Sequence, residues 1–256
     1  MTSKVAVVTG GNRGIGAAIA TALAQDGFHV AVTARDPSTL DDTVGAVTGA
    51  GGVVDPFACD VRDEESVGAL AAAVEALGEV HVVVANAGIA GPTAPLHELT
   101  LAQWRDTLET DLDGVFLTFR SFIPAMIERG SGSLIAVSSM TGKRPLHGRT
   151  PYATAKMGLI GLMRTLAVEL GPHGVRANTV CPGAVAGPRI DDVIARQAAS
   201  RGTSVEEARA DFTSASPLSR LVEADEVAAA CAFLASDAAA SITGEDLNVS
   251  AGAVMY

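Results

Sequence analysis

The chain has little cysteine, no excess of basic residues and no long apolar run, and each shortage narrows what it can be. Its three cysteines, Cys59, Cys181 and Cys231, are odd in number, widely spaced and set in apolar stretches. That pattern argues for buried free thiols rather than a disulfide framework or a metal cluster, so no metal site is expected. Lys and Arg total 18 against 29 Asp and Glu, a formal net charge of −11. Such an averaged field repels phosphate backbones and anionic lipid, which makes nucleic acid and membrane poor partners. No apolar run approaches the roughly 20 residues a bilayer span needs. The opening "MTSKVAVVTGG" carries neither a basic leader region nor a small-residue cleavage site, and the expectation is a cytoplasmic protein.

What is present points to a large packed core. Of 256 residues, 48% are apolar and 27 are glycine, which suits close packing of helices on a sheet. Short runs rich in β-branched residues recur: "KVAVVTG", "HVAVTA", "VVDPFACD", "VHVVVANAG", "GSLIAVSS", "VRANTVCPG" and "DLNVSAG". Alanine-rich segments of helical period separate them. Strand and helix alternating along the whole chain predict a doubly wound α/β domain over 1–256, a mostly parallel sheet of about seven strands with helices on both faces. No repeat or linker divides it. The segment 184–220 is longer and more polar than the other connections and reads as an inserted, mobile lid over substrate.

In doubly wound sheets ligands bind at the carboxyl ends of the strands. The turn after the first strand reads "VVTGGNRGIGAAIA", where Gly10, Gly14 and Gly16 permit a tight turn and close approach of a phosphate to the positive end of the next helix. A glycine-rich turn of this kind can also be purely structural. Further along, "SSMTGKRPLHGRTPYATAKMG" sets Tyr152 and Lys156 four residues apart. A helix starting near Pro151 places both on one face. A free phenol holds its proton too tightly for exchange near neutrality, and an adjacent ammonium stabilises the phenolate. Tyr152 would then act as general acid or base. Ser139, thirteen residues earlier, would hydrogen-bond the same substrate oxygen.

Taken together, "TGGNRGIG", "NAG" at 86–88, the set Ser139, Tyr152, Lys156 and "PG" at 182–183 resemble the single-domain branch of the short-chain dehydrogenase/reductase family, in its order and spacing over nearly the whole chain. The resemblance implies a Rossmann-type sheet, a nicotinamide cofactor and hydride transfer between an alcohol and a ketone. It places the cofactor against Gly10, Asn12, Arg13, Gly14, Ile15, Gly16, Arg35, Asp60, Val61, Asn86, Ala87, Gly88, Tyr152, Lys156, Pro182, Gly183 and Val185. Substrate is implied beside Met140, His147, Ala184 and Arg189. Long helices around 104–129 and 152–170 imply a homo-oligomer, a tetramer or dimer. Polyketide and 3-oxoacyl thioester ketoreductases are the alternative within the family, because "TGKRPLHGRTPYATAK" and "LNVSAGAVMY" look similar to them.

The second strand ends "VTARD". A ribose 2′-hydroxyl calls for a carboxylate there, a 2′-phosphate for cations. Ala34 takes the acid's place, while Arg35 follows and Arg13 sits in the glycine turn, which favours NADP(H). Asp36, twenty residues after Gly16, is the competing ribose ligand and keeps NAD(H) possible. Asp60 is either the residue near the adenine or an N-cap for a helix at 63–77.

Two departures from the family stand out. Asp111 occupies the place of an asparagine whose carbonyl helps hold a water against the lysine, so a charge enters where an amide is usual. Gly187 replaces a threonine that contacts the nicotinamide carboxamide. The basic cluster "KRPLHGR", 143–149, and His147 read as solvated loop rather than a site for an anionic substrate. His29, His81, His97 and His173 read as structural or exposed, and Trp104 as packing its helix. Two rivals from other classes are a nucleotide-sensing binding protein that has lost catalysis, with Asp111 as the first sign of decay, and an assembly protein that binds no cofactor.

Overall fold

The computed structural model describes residues 3–256. Seven strands, β1 (Lys4–Thr9), β2 (His29–Ala34), β3 (Val53–Ala58), β4 (Glu79–Ala85), β5 (Gly132–Val137), β6 (Val175–Pro182) and β7 (Asp246–Val249), form one sheet in the order 3-2-1-4-5-6-7. Every pairing is parallel. The helices are α1 (Gly14–Gln25), α2 (Asp41–Gly49), α3 (Glu64–Glu75), α4 (Leu101–Leu108), α5 (Gly114–Arg129), α6 (Met140–Lys143), α7 (Thr150–Leu170), α8 (Pro188–Arg201), α9 (Val205–Ser214) and α10 (Ala224–Ala235).

Parallel strands covered on both faces must be apolar at every position, not at alternate ones. In β1, Val5, Ala6, Val7 and Val8 are all fully buried, and alternation divides them between two cores. Val5 and Val7 face α3, α5 and α7 through Leu70, Phe119 and Met163. Ala6 and Val8 face α1, α2 and α10 through Ile19, Leu23, Val47 and Leu234. Each such aliphatic side chain contributes about 1.5–3 kcal/mol on burial. The three cysteines are free and buried. Burial pushes Cys181 up to about 11 and Cys231 up to about 12, which leaves both as unreactive thiols.

Two elements differ from expectation. Asp63, not Asp60, caps the helix that starts at Glu64, its carboxylate accepting the Glu65 N–H at 2.9 Å. The long helix expected over 104–129 is interrupted by a π-helical turn, Glu109–Asp113, between α4 and α5. Such turns admit an extra residue into a helix and redirect a side chain, and here the residue turned inward is Asp111, fully buried.

The strand order reverses between β1 and β4, opening a crevice at their carboxyl ends. Over that end stand α8 and α9, which share a small core of Ile194, Ala198 and Ala208 separate from the two main ones. A single bridge, Val185 to Val222, ties the base of this segment to itself.

Candidate active site

The glycine turn is shaped by close approach. Gly10 has φ +65°, and a Cβ there would lie 2.7 Å from the Ala87 Cα. A Cβ at Gly16 would lie 2.2 Å from the Gly10 carbonyl oxygen. Gly14 is different: with φ +54° it opens α1, and a Cβ there would meet nothing within 4 Å. Arg13, the N-cap, supplies no side-chain acceptor to the helix. The first N–H groups of α1, around Ile15 and Gly16, therefore face outward with the positive end of the helix dipole and no protein acceptor of that kind, a cradle suited to a phosphate. Asn12 lies in the same turn, and the Thr43 hydroxyl braces it by donating to the Gly11 carbonyl at 2.8 Å.

Arg13, in the turn after β1, and Arg35, at the end of β2, are exposed, with no carboxylate partner among the described residues. Asp36 is otherwise engaged: its Oδ1 accepts from the Ser38 N–H at 3.0 Å and the Ser38 hydroxyl at 2.7 Å, capping a 3₁₀ turn. Asp60 holds Arg62 in a two-pronged ion pair, which keeps its carboxyl below the ordinary range. Val61, which follows it, is buried against Gly114.

Asn86 serves the frame. Its Nδ2 donates to the carbonyls of Thr9 at 3.0 Å and Gly10 at 2.9 Å, and its N–H and that of Ala87 both donate to the Thr9 hydroxyl. The side chain that locks β4 to β1 is spent on backbone. Gly88 lies beside Asp111, where a Cβ would come within 3.2 Å of the carboxylate. Pro182 is buried at the end of β6, and Gly183 lets β6 approach Ser250, to whose Cα a Cβ would stand 2.9 Å away.

Tyr152 and Lys156 share one face of α7, the Nζ lying 5.6 Å from the phenol ring centre. Lys156 is buried; its Nζ donates to the Val137 carbonyl at 3.1 Å and stands 3.4 Å from Asp111 Oδ2. Asp111 Oδ1 accepts the Ile89 N–H at 2.7 Å. Ser139, at the carboxyl end of β5, is nearly buried and accepts the Thr141 N–H at 3.1 Å, so it caps α6 while its own O–H remains free to donate. The neighbouring Ser138 hydroxyl donates to the Lys156 carbonyl and pins α7 to β5.

The basic cluster 143–149 is solvated only in part: Arg144 and His147 are exposed as expected, but Lys143 and Arg149 turn inward. Lys143, half-buried, pairs with Asp246 and donates to the Asn248 side chain at 3.0 Å. Arg149, 3% exposed, stacks its guanidinium 4.7 Å from the Tyr152 ring centre. Burial lowers Arg149 from the usual guanidinium range, against the opposing pull of Tyr152. Sequence spacing did not mark Arg149; its placement three residues before Tyr152, just ahead of the helix, was the available signal. Arg189, from α8, also reaches the ring, at 6.0 Å, and bonds the Gly88 carbonyl. His147 is exposed, its carbonyl accepting from Gln197 at 2.8 Å; Met140 is half-buried and Ala184 buried. Gly187 caps α8 with φ +131° and no side chain to contact a ligand.

A seven-stranded parallel sheet with this order, a glycine turn at its switch point and ionisable side chains gathered at the strand ends define a Rossmann-like α/β protein. Residues 10–254 match the family described as Enoyl-(Acyl carrier protein) reductase. The chain belongs to the short-chain dehydrogenase/reductase family, whose members are oxidoreductases of nicotinamide cofactors. It is 41% identical over 251 residues to cis-4-hydroxycyclohexanecarboxylate dehydrogenase of Sinomonas cyclohexanicum, covering 97% of this chain and 96% of that one. Among solved structures it is similar to actinorhodin polyketide ketoreductase crystallised with NADPH, with TM-score 0.94, 38% identity and coverage of 99% and 98%. It is also similar to NAD+-bound xylitol dehydrogenase, with TM-score 0.93, 26% identity and coverage of 97% and 98%. Among the described residues no helix is long and apolar enough to cross a membrane.

Proposed function

We propose that the chain interconverts a ketone and a secondary alcohol with NADP(H), Tyr152 exchanging the proton. The observation that carries this is the cationic surrounding of one phenol: Lys156 and Arg149 both lie within 6 Å of the Tyr152 ring centre. The nicotinamide nucleotide, when bound, supplies or accepts the hydride. Gly10, Asn12, Arg13, Gly14, Ile15 and Gly16 would hold its phosphates, Ala87, Gly88, Pro182, Gly183 and Val185 would flank it, and Val61 and Asp60 would border its adenine. Asn86 acts through the backbone it braces.

In the reductive direction the Tyr152 hydroxyl gives its proton to the carbonyl oxygen, and the resulting phenolate is stabilised by Lys156 and Arg149. Ser139 donates its free O–H to the same oxygen and orients it. Asp111 holds the Lys156 ammonium from behind. That intact contact favours a working enzyme over a binding protein in decay, since the exchanged residue still engages the lysine. Arg13 and Arg35 support NADP(H), and the engagement of Asp36 with Ser38 weakens the case for a ribose carboxylate. A 3-oxoacyl or polyketide thioester is a second reading of the substrate, supported by similarity to the actinorhodin ketoreductase.

The segment 184–220, with its own small core, is proposed as the substrate lid, Met140, His147 and Ala184 lining the cleft below. Exposed Phe116 of α5 and exposed Met157 and Val168 of α7 support a homo-oligomer through those helices. Free buried thiols support a reducing, cytoplasmic setting. Following NADPH and NADH oxidation over a panel of ketones tests the activity; a protein that turns over neither cofactor with any carbonyl overturns it.

A further inference from the structure

We infer that the substrate carries an anionic oxyacid group, a carboxylate or a phosphate monoester, a few bonds from its reacting carbonyl, and that Arg149, Arg189 and Arg196 receive it. The inference rests on the ketone-reductase reading of the same site.

Three guanidinium groups converge on the short loop 88–91 from two sides. Arg149 Nη2 donates to the Ala90 carbonyl at 2.6 Å, Arg189 Nη1 to Gly88 at 3.4 Å and Arg196 Nη1 to Gly91 at 3.3 Å. Carbonyl oxygens carry only partial charge and neutralise none of the three. Six of the other twelve arginines are ion-paired: Arg62 with Asp60, Arg120 with Glu64, Arg164 with Asp246, Arg201 with Asp211, Arg209 with Asp191 and Arg220 with Glu226. Among the described residues Arg149, Arg189 and Arg196 have no carboxylate partner within ion-pair distance.

The acids facing them are committed or turned away. Asp111, buried beside the site, is engaged by Lys156 and Ile89. On α8, Asp191 is held by Arg209, and exposed Asp192 meets Arg196 only through its backbone carbonyl, which accepts from Nε at 3.2 Å. Arg149 is 97% buried by its 3% exposure, and its Nε has no hydrogen-bond partner at all. Like charges packed this closely repel, and a buried N–H without a partner has given up its hydrogen bond to water for nothing. A protein with net charge −11 that gathers three guanidinium groups with no carboxylate in ion-pair contact beside its proposed acid/base has arranged a local positive field. Guanidinium forks suit carboxylate and phosphate oxygens specifically.

The position fits the chemistry. Arg149 and Arg189 lie 4.7 and 6.0 Å from the Tyr152 ring centre, so an anion they hold would lie near the oxygen that Tyr152 protonates. Arg189 and Arg196 lie on α8, so the anion would also bind the lid to the body through the 88–91 loop.

The test uses matched substrates on the NADPH-loaded enzyme: 4-oxopentanoate and 5-oxohexanoate against their methyl esters, and dihydroxyacetone phosphate against dihydroxyacetone. We expect the anionic member of at least one pair to have the higher kcat/KM by ten-fold or more, and that ratio to fall towards one in R189Q, R196Q and the double variant, chiefly through KM. The two exposed positions are used because R149Q risks the fold. Which pair shows the preference separates carboxylate from phosphate. Neutral ketones turned over as well as their anionic counterparts, or a ratio indifferent to the variants, overturns the subsite and leaves the reductase reading intact. A second readout is calorimetric binding of cyclohexanecarboxylate against cyclohexanecarboxamide to the NADP+-loaded protein. Tighter binding of the carboxylate, lost in the double variant, supports the subsite even if no ketone is reduced; equal or absent binding of both, with no preference for dihydroxyacetone phosphate over dihydroxyacetone, overturns it.

Discussion

Asp111 divides its carboxylate between two partners, Oδ1 accepting the Ile89 N–H at 2.7 Å and Oδ2 standing 3.4 Å from Lys156 Nζ. It therefore ties the ammonium behind Tyr152 to the loop that follows β4. Removing one member of a buried pair strands the other, so Asp111→Ala is expected to cost about 3–5 kcal/mol in urea unfolding. Asp111→Asn keeps an acceptor for Ile89 and should cost less. The same titration on both variants checks the order, and an Asn variant less stable than the Ala one would contradict the pairing.

Tyr152→Phe removes one oxygen and keeps the ring on which Arg149 stacks. Turnover should fall by about 10²–10⁴-fold, with cofactor affinity by fluorescence titration close to the parent's. Turnover near the parent's would assign the proton to another group.

Arg13→Ala and Arg35→Ala each remove a proposed charge-assisted bond to the 2′-phosphate. At about 1.5–3 kcal/mol per bond, the KM for NADPH should rise about 10–100-fold for each, with that for NADH little changed. Equal losses with both cofactors would point to a damaged turn instead.

Two glycines of that turn should respond oppositely to alanine. Gly10→Ala forces a Cβ to within 2.7 Å of the Ala87 backbone, and melting temperature should drop sharply. Gly14→Ala meets open space, so beyond roughly 1–2 kcal/mol of left-handed strain the loss should appear in cofactor KM. Matching behaviour in both assays would remove the case for a phosphate cradle at Gly14.

Asp246 links stability to pH. Burial alone would raise its carboxyl, but hydrogen bonds from Lys143 and Arg164 outweigh it and hold it below the ordinary value. A depressed folded-state value contributes stability above the unfolded value of about 3.9 and loses it as pH falls through the folded one. Asp246→Asn should be destabilised at pH 7, and the gap to the parent should narrow below about pH 4 in urea titrations. A gap that widens in acid would exclude the ion-pair account.

The sheet was legible because burial on both faces leaves a linear trace: runs such as "VAVV" have no polar alternation, and the helical segments between them compel parallel pairing. The turn at Gly10, Gly14 and Gly16 and the i, i+4 spacing of Tyr152 and Lys156 are local geometry, which spacing encodes directly. What spacing could not show was where long side chains end. Lys143 and Arg149 stand in one polar stretch that resembles solvated loop, yet one is drawn into the Asp246 pair across the sheet and the other onto the Tyr152 ring. The π turn at Glu109–Asp113 left no periodic signature either, although it decides that Asp111 points at Lys156. Convergence of Arg149, Arg189 and Arg196 on one loop joins residues 40 and more apart, and charge–charge distance of that kind belongs to the folded chain alone.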